Sequence, residues 1–194
     1  ATDFSTRSDR ALRRSTMIAK ESGAELLLEH VVDSDQPQYL IDAETEASRS
    51  ILEESARTAC TIDDVAARAN VVVGDVYSGI LQAADEAGAS LVVLGPHRRL
   101  LRDAFIGTTA ERAIAHSRRP VLLAAGVPSA PYSQVLIALE MDDVSRSAVK
   151  RARELGILDR RGIVAMHAFD APAKGMMERA MSEGQAIDQY VESE

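Results

Sequence analysis

Short, largely apolar runs alternate along the chain with longer stretches whose apolar residues recur at helical spacing. The runs cover residues 26–32, 71–74, 91–95 and 120–124. They lack the strict alternation of apolar and polar residues that is typical of a half-exposed strand, so both faces of each strand are expected to be covered. Strands that alternate with helices favour a parallel sheet with helices on both sides. The sequence therefore predicts an α/β fold with a doubly wound, Rossmann-like sheet.

Local signals place the helices between these strands. Thr6 and Asp9 have the spacing of a capping box, which predicts that the first helix begins there. A second, highly charged helix is predicted over residues 43–60. Its core-facing residues are predicted to be Ile51, Leu52 and Ala56.

Composition excludes several classes of function. The chain has 22 Lys and Arg against 30 Asp and Glu, a net charge of -8, which opposes binding to nucleic-acid backbones. It has no run of 18 apolar residues, so no membrane segment is expected. Cys60 is the single cysteine, so an internal disulfide is excluded. No signal peptide precedes the first residues, and we expect a cytoplasmic protein.

The pattern of strand, helix and strand restarts after residue 132. At an offset of 137 residues, matched identities join the two segments: Ala1 and Ala138, Ser8 and Ser145, Arg14 and Arg151, His30 and His167. This internal repeat predicts a first domain at residues 1–126, a linker at 127–132 and a second domain at 133–194. By this alignment, the chain is expected to start inside its first strand and to carry only the opening part of the second repeat.

A loop between the third strand and the next helix is the richest candidate site. It runs from Gly95 through His97 and Arg98 to Gly107, Thr108 and Thr109. Backbone N–H groups at a helix start favour anions, and six arginines lie between residues 97 and 119 against two acidic residues. These features indicate a phosphate site. The alternative is a solvated basic loop that ends in an ordinary threonine cap.

Asp3 is the second candidate, because it follows the first strand at its carboxyl end. In open α/β sheets, ligands bind beyond the carboxyl ends of the strands, where the strand order reverses. A carboxylate there would meet a ribose hydroxyl, a magnesium ion or a base edge. The alternative for Asp3 is a local cap on the following helix.

These residues in this order resemble the universal stress protein family. The resemblance rests on Thr2-Asp3-Phe4-Ser5, Glu29-His30-Val31, Gly95, Gly107-Thr108-Thr109-Ala110-Glu111-Arg112 and Pro120-Val121-Leu122-Leu123. It implies a five-stranded parallel sheet of strand order 3-2-1-4-5, a tandem arrangement and a role in stress resistance. It also implies pairing through the last strand, residues 120–124, with either the second half or another chain.

Some members of that family bind ATP through a loop of the form Gly-x-x-Gly, nine residues, then Gly-Ser or Gly-Thr. Here Arg98 occupies the place of the second glycine, and eight residues separate it from Gly107. The resemblance implies that Asp3 and the backbone of Val31 contact the nucleoside. It places the phosphates near Gly95, His97, Arg98, Gly107, Thr108 and Thr109. The expected ligand is ATP or another adenine nucleotide, with or without magnesium.

Three functions stay open from the sequence. The first is a stress protein that binds a nucleotide and acts through dimerisation or signalling. The second is a nucleotide-free scaffold of the same fold, in which Arg98 blocks the pocket and the basic loop meets a protein partner. The third is a weak enzyme that hydrolyses ATP or transfers an adenylyl group, with Asp3 and His97 as the visible polar groups. No acid–base pair and no metal-ligand spacing is evident, so neither a catalytic residue nor a metal site is assigned.

Overall fold

The computed structural model describes residues 1–96, 109–159 and 162–168, and the chain divides into two compact units, Ala1–Pro131 and Tyr132–Glu194. The first unit contains α1 (Ser8–Ser22), β1 (Leu26–Asp33), α2 (Gln38–Thr61), β2 (Ala67–Gly74), α3 (Val76–Glu86), β3 (Val92–Leu94), α4 (Thr109–His116) and β4 (Val121–Leu123). The second contains β5 (Gln134–Leu139), α5 (Asp143–Glu154) and β6 (Gly162–His167). None of the helices within the described residues could cross a membrane.

The described strands form three parallel pairs, which confirms the predicted α/β class. β1 pairs with β2, β3 pairs with β4, and β5 pairs with β6. Leu26 lies opposite Ala67 at the start of the first pair, and Asp33 lies opposite Gly74 at its end. The predicted five-stranded order is not seen as one continuous sheet, because the pairs are separate.

Ala1 and Thr2 lie between the first two strand pairs. The Thr2 N–H donates to the Glu29 carbonyl of β1 at 2.9 Å, and the Ala1 nitrogen donates to the Val93 carbonyl of β3 at 2.9 Å. Two residues are too few to be assigned as a strand, and this explains why β1 and β3 appear in different sheets.

Apolar side chains fill both sides of the β1–β2 pair in the first unit. On one side, Leu26 and Leu28 pack with Leu52 and Ala56 of α2. The other side contains a second cluster, which consists of Val31, Ile80, Ala84, Val92, Leu94, Ala110 and Ala113. The apolar strands are therefore covered on two faces, as their composition requires.

Two details of α2 correct the sequence interpretation. The helix begins at Gln38 instead of residue 43, directly after Pro37, whose φ of -58° and ψ of 140° are extended. Ile51 is not part of the core: it is 49% exposed, whereas Leu52 is 2% exposed. Ile51 and Leu52 are neighbours on a helix, about 100° apart around its axis, and only Leu52 faces the sheet.

The second unit repeats two hydrogen bonds of the first at the offset of 137 residues. His30 Nδ1 lies 2.8 Å from the Thr2 carbonyl oxygen, and His167 Nδ1 lies 2.8 Å from the Leu139 carbonyl oxygen. The Asp3 N–H donates to the Ser8 hydroxyl at 3.3 Å, and the Glu140 N–H donates to the Ser145 hydroxyl at 3.0 Å. The turn after the strand therefore keeps these two hydrogen bonds in both units, although the following helix has a side-chain cap only in the second, from Asp142.

A buried carboxylate lies in the sheet of the first unit. Glu29 is 5% exposed; its Oε2 accepts a hydrogen bond from Asn70 at 2.8 Å, while Oε1 has no partner among the described residues. Burial raises the pKa of Glu29, although the bond from Asn70 acts in the opposite direction. The charged form of Glu29 is therefore unfavourable in the folded protein.

Replacing Glu29 by glutamine is expected to stabilise the protein at pH 8 by about 1 kcal/mol, because a buried charge that is only partly compensated is removed. Since folding raises this pKa, the native protein gains stability as the pH falls through the folded-state value, and the gain is complete below the unfolded-state value. Urea unfolding at several pH values from neutral to mildly acidic measures this gain as a difference between the two proteins. Glu46→Gln on the exposed surface of α2 is the control, and parallel pH profiles for E29Q and the native protein would refute the assignment.

Candidate functional site

The carboxyl ends of β1 and β3 lie on either side of residues 1–3. The even-numbered residues of β1 direct their backbone groups towards β2: the Leu26 N–H bonds to Ala66 at 2.8 Å, and the Ser34 N–H beyond the strand bonds to Gly74 at 3.4 Å. Backbone groups alternate along a strand, so those of Glu29 and Val31 point the other way. Val31 therefore presents its N–H and C=O groups towards the point where the chain leaves Thr2.

Asp3 lies in this turn and is exposed, with half of its carboxylate already engaged. Its Oδ1 accepts hydrogen bonds from the Ser5 N–H at 3.0 Å and the Ser5 hydroxyl at 2.6 Å. Partial burial acts to raise the pKa of Asp3, but hydrogen bonds from Ser5 and Ser8 outweigh it and hold the pKa below its usual value. Asp3 is therefore a charged group that stabilises its own turn and keeps Oδ2 for other contacts.

The predicted capping box at Thr6 and Asp9 is wrong. The residue before the helix is Arg7, which makes no side-chain cap, and the Ser8 N–H donates instead to the Ser5 hydroxyl at 3.3 Å. Asp9 pairs with Arg13 one turn further along, at 2.8 Å. The Asp3–Ser5 turn replaces the capping box because its serine reaches the first N–H groups of the helix from the preceding loop.

Phe4 and His30 complete the turn. Phe4 adopts a φ of 57°, and its ring centroid lies 4.5 Å from that of His30. His30 was not predicted as a site residue. The signal that marks it is its recurrence as His167 in the repeat, at the same strand position and with the same hydrogen bond.

Gly95 follows β3, and its lack of a side chain serves the packing of α1. A Cβ atom at Gly95 would lie 2.7 Å from the Arg7 carbonyl oxygen and 2.9 Å from the Ser8 Cα. These are backbone atoms, so they cannot rotate away. The sequence interpretation placed a phosphate near this glycine, and the structure adds a packing role against the start of α1.

The remaining predicted site residues divide into two groups. Thr109 is the first residue of α4 and is half-buried. His97, Arg98, Gly107 and Thr108 lie outside the described residues. Among the described residues, Val31 therefore lies in the carboxyl-terminal half of β1, Asp3 follows Thr2 in the chain, and Gly95 directly follows β3.

The arginines after the loop do not form one basic patch. The Arg112 guanidinium stacks on Tyr77 at 3.5 Å from the ring centroid and lies 3.9 Å from Asp75. Arg119 bonds to Asp85 at 3.0 Å and to the Ala89 carbonyl at 2.8 Å. Arg119 lies two residues before β4 and therefore at the amino end of the strands. The eight residues of α4 separate it from the start of that helix by about 12 Å. The run of arginines in the sequence therefore overstates the positive charge near the candidate site.

No cluster of potential metal ligands is found among the residues that the structure describes.

Parallel strand pairs covered by helices, with backbone and carboxylate groups near the strand ends, define an α/β protein of the Rossmann-like class. Residues 1–125 match the sequence profile of the Universal stress protein family. The chain belongs to the universal stress protein family, as its motifs indicated.

Solved structures give the same result. A universal stress protein family member from Burkholderia pseudomallei is 32% identical, with 63% of this chain and 89% of that chain covered and a TM-score of 0.52. A universal stress protein crystallised in complex with cAMP is 26% identical over 64% of this chain and 91% of that chain, with a TM-score of 0.50. A universal stress protein from Archaeoglobus fulgidus DSM 4304 is 19% identical over 96% of this chain and 72% of that chain, with a TM-score of 0.71, which shows a shared fold. The comparison with curated proteins found no significant match.

Proposed function

We propose that the first unit binds an adenine nucleotide at the carboxyl end of its sheet, and that the protein acts as a nucleotide-responsive stress protein. The observation that carries this proposal is the direction of the Val31 backbone. Its N–H and C=O groups point towards the Asp3 turn, where a purine edge could bond to both. Asp3 Oδ2 would accept a hydrogen bond from a ribose hydroxyl. Thr109 at the start of α4 would contact the phosphates together with His97, Arg98, Gly107 and Thr108.

The relative crystallised with cAMP supports the adenine class of ligand. The start of α4 supports the phosphate end, because unpaired N–H groups at a helix start favour anions. The bond between Ser5 and Asp3 leaves one carboxylate oxygen for the ligand, so the local and the binding role of Asp3 are compatible.

We also propose the strand order β2, β1, residues 1–2, β3, β4, which is the predicted 3-2-1-4-5. The hydrogen bonds of Ala1 to Val93 and of Thr2 to Glu29 support it. In the second unit, β5 pairs with β6 and places Leu139 opposite His167. By the offset of 137 residues, this is the pairing of Thr2 with His30. The repeated pairing therefore supports a tandem arrangement of two universal stress units.

The outer edge of β4 is the proposed pairing surface for the second half or another chain. In the described part of the first unit, β4 pairs only with β3, and Leu123 is 41% exposed. An unpaired apolar edge strand is unfavourable in water, and pairing would satisfy it. A cytoplasmic location remains our expectation from the sequence.

Isothermal titration with ATP, with and without magnesium, tests the nucleotide proposal. We expect binding by the native protein and at least tenfold weaker binding by the double variant Thr108→Ala/Thr109→Ala, because hydrogen bonds to charged phosphates are lost. Thr61→Ala at the end of α2 is the control and should bind as the native protein does.

Three other outcomes have separate meanings. Absence of heat at millimolar nucleotide, together with no nucleotide released on denaturation, would reject the proposal and favour the scaffold with Arg98 in the pocket. Equal binding by the double variant would place the ligand elsewhere. Slow hydrolysis that Asp3→Ala abolishes without loss of binding would favour the enzyme.

A further inference from the structure

His30 is buried between the Asp3 turn and α2. The residue is 7% exposed, and the Phe4 ring packs against its imidazole. Nδ1 lies 2.8 Å from the Thr2 carbonyl oxygen, and Nε2 lies 3.6 Å from Glu44 Oε1. Nε2 is buried and has no hydrogen-bond partner within the described residues. The ring therefore connects the turn that contains Asp3 to a carboxylate on α2.

The Thr2 contact fixes which nitrogen of the neutral ring carries the proton. A carbonyl oxygen only accepts hydrogen bonds, so Nδ1 must be the donor. Nε2 of the neutral ring then holds a lone pair that faces the Glu44 carboxylate. Two acceptors in this position repel each other, and one added proton turns the repulsion into an ion pair.

The same proton strengthens the bond to the turn. A charged imidazolium donates a stronger hydrogen bond to the Thr2 carbonyl than the neutral ring does. Glu44 is also held in place, because its Oε2 accepts a hydrogen bond from Gln36 at 3.0 Å. Proton uptake by the His30–Glu44 pair therefore tightens the attachment of the Asp3 turn to β1.

The charged groups around the ring are arranged for this effect. From α2, Glu44 faces Nε2. From the turn, Asp3 directs Oδ1 to Ser5, and Ser8 of α1 contributes a neutral hydroxyl to the same turn. On β1 itself, the side chains of Glu29 and Asp33 project from the opposite face of the sheet, since residues of odd and even number alternate along a strand.

The second unit gives a natural comparison. His167 keeps the contact with the carbonyl oxygen of Leu139, but the sequence position that corresponds to Glu44 is Met181. The histidine–carbonyl contact is thus shared by both repeats, whereas the residue aligned with Glu44 differs between them.

We propose that His30 is a positioning residue that holds the Thr2–Asp3 turn for nucleotide binding, and that a proton shared with Glu44 tightens this hold. The inference rests on the proposed function for its effect on ligand affinity. Its structural part, the coupling of the ring to the turn, stands without any ligand.

Nuclear magnetic resonance on the full chain without ligand tests the coupling. We expect the neutral His30 ring to carry its proton on Nδ1, and the backbone amides of Phe4 and Ser5 to shift with the same midpoint as the ring. In Glu44→Gln, whose amide donates to Nε2 without an added proton, the amide shifts of the turn should lose this midpoint. Amide shifts of Phe4 and Ser5 that do not change when the ring is protonated would overturn the inference.

Binding of cAMP between about pH 6 and 8 tests the functional part, since its phosphodiester keeps one charge over this range. We expect the native protein to bind about threefold or more tightly at the lower pH, because the bond to the turn becomes charge-assisted. His30→Asn, whose amide can still donate to Thr2, should keep most of the affinity and lose the pH dependence. His30→Ala should lose affinity at every pH.

The two proposals fail in different ways. If both E44Q and H30N keep the pH dependence of cAMP affinity seen in the native protein, the role of His30 is overturned even where binding is strong. Absence of binding of both cAMP and ATP at any pH would refute the proposed function, and the ligand-free titration would still decide whether His30 holds the turn.

Discussion

Replacing Leu52 by alanine is expected to lower the free energy of unfolding by about 2–5 kcal/mol, the usual cost of removing a buried leucine side chain. Leu52 is 2% exposed and packs against Leu26 and Leu28 of β1. Its loss would leave a cavity where α2 covers the sheet. Urea unfolding followed by circular dichroism measures the change as a shift of the midpoint.

The neighbouring Ile51 provides a matched control. It is 49% exposed, so Ile51→Ala should change the free energy of unfolding by no more than about 0.5 kcal/mol. Equal effects of the two substitutions would show that α2 is rotated relative to the described structure, with both residues in the core as the sequence interpretation held.

Replacing Gly95 by alanine is expected to cost about 1–3 kcal/mol of unfolding free energy, because overpacking forces the backbone to move. The new Cβ would lie 2.7 Å from the Arg7 carbonyl oxygen, well inside contact distance. The start of α1 must shift, and the Asp3 turn lies directly before it. We therefore expect Gly95→Ala to weaken nucleotide binding as well as stability.

Gly74 at the end of β2 is the matched control. A Cβ there would meet no atom within 4 Å, and its backbone has no positive φ. Gly74→Ala should leave the unfolding midpoint and the nucleotide affinity close to native values. A stable G95A protein with lost binding would instead show that the glycine serves the ligand alone.

The sequence predicted the α/β class and most of the elements because the strands are apolar runs set between helical stretches. It failed on the exposure of Ile51, since two adjacent apolar residues on a charged helix satisfy the same periodicity. It also missed the early start of α2, because residues 38–42 mix polar and apolar side chains. Pro37 was the available signal, since proline is common at the start of helices.

The candidate site was less predictable than the fold. Asp3, Val31 and Gly95 were proposed as site residues from motif and position, but the packing of Gly95 against the start of α1 is a contact that no local pattern encodes. The arginines of residues 97–119 looked like one patch because they are close in sequence. Closeness in sequence does not show at which end of the strands a residue lies. A helix of eight residues carries Arg119 to the opposite end of the strands, where it bonds to Asp85.

The roles of Ser5 and His30 depend on contacts that the sequence does not spell out. Ser5 displaced the expected capping box because it bonds both to Asp3 and to the first turn of α1. The role assigned to His30 depends on its hydrogen bond to the carbonyl of Thr2, which lies 28 residues earlier in the chain. Only the repetition of His30 as His167 pointed to it in advance.

The most direct test of the central claim is a map of backbone amide shifts during titration with ATP and magnesium. We expect the largest changes at Val31, Gly95 and Thr109, with smaller changes in the Asp3 turn. Changes confined to the amino end of the strands around Arg119, or none at millimolar ATP, would contradict a nucleotide site at the carboxyl end of this sheet.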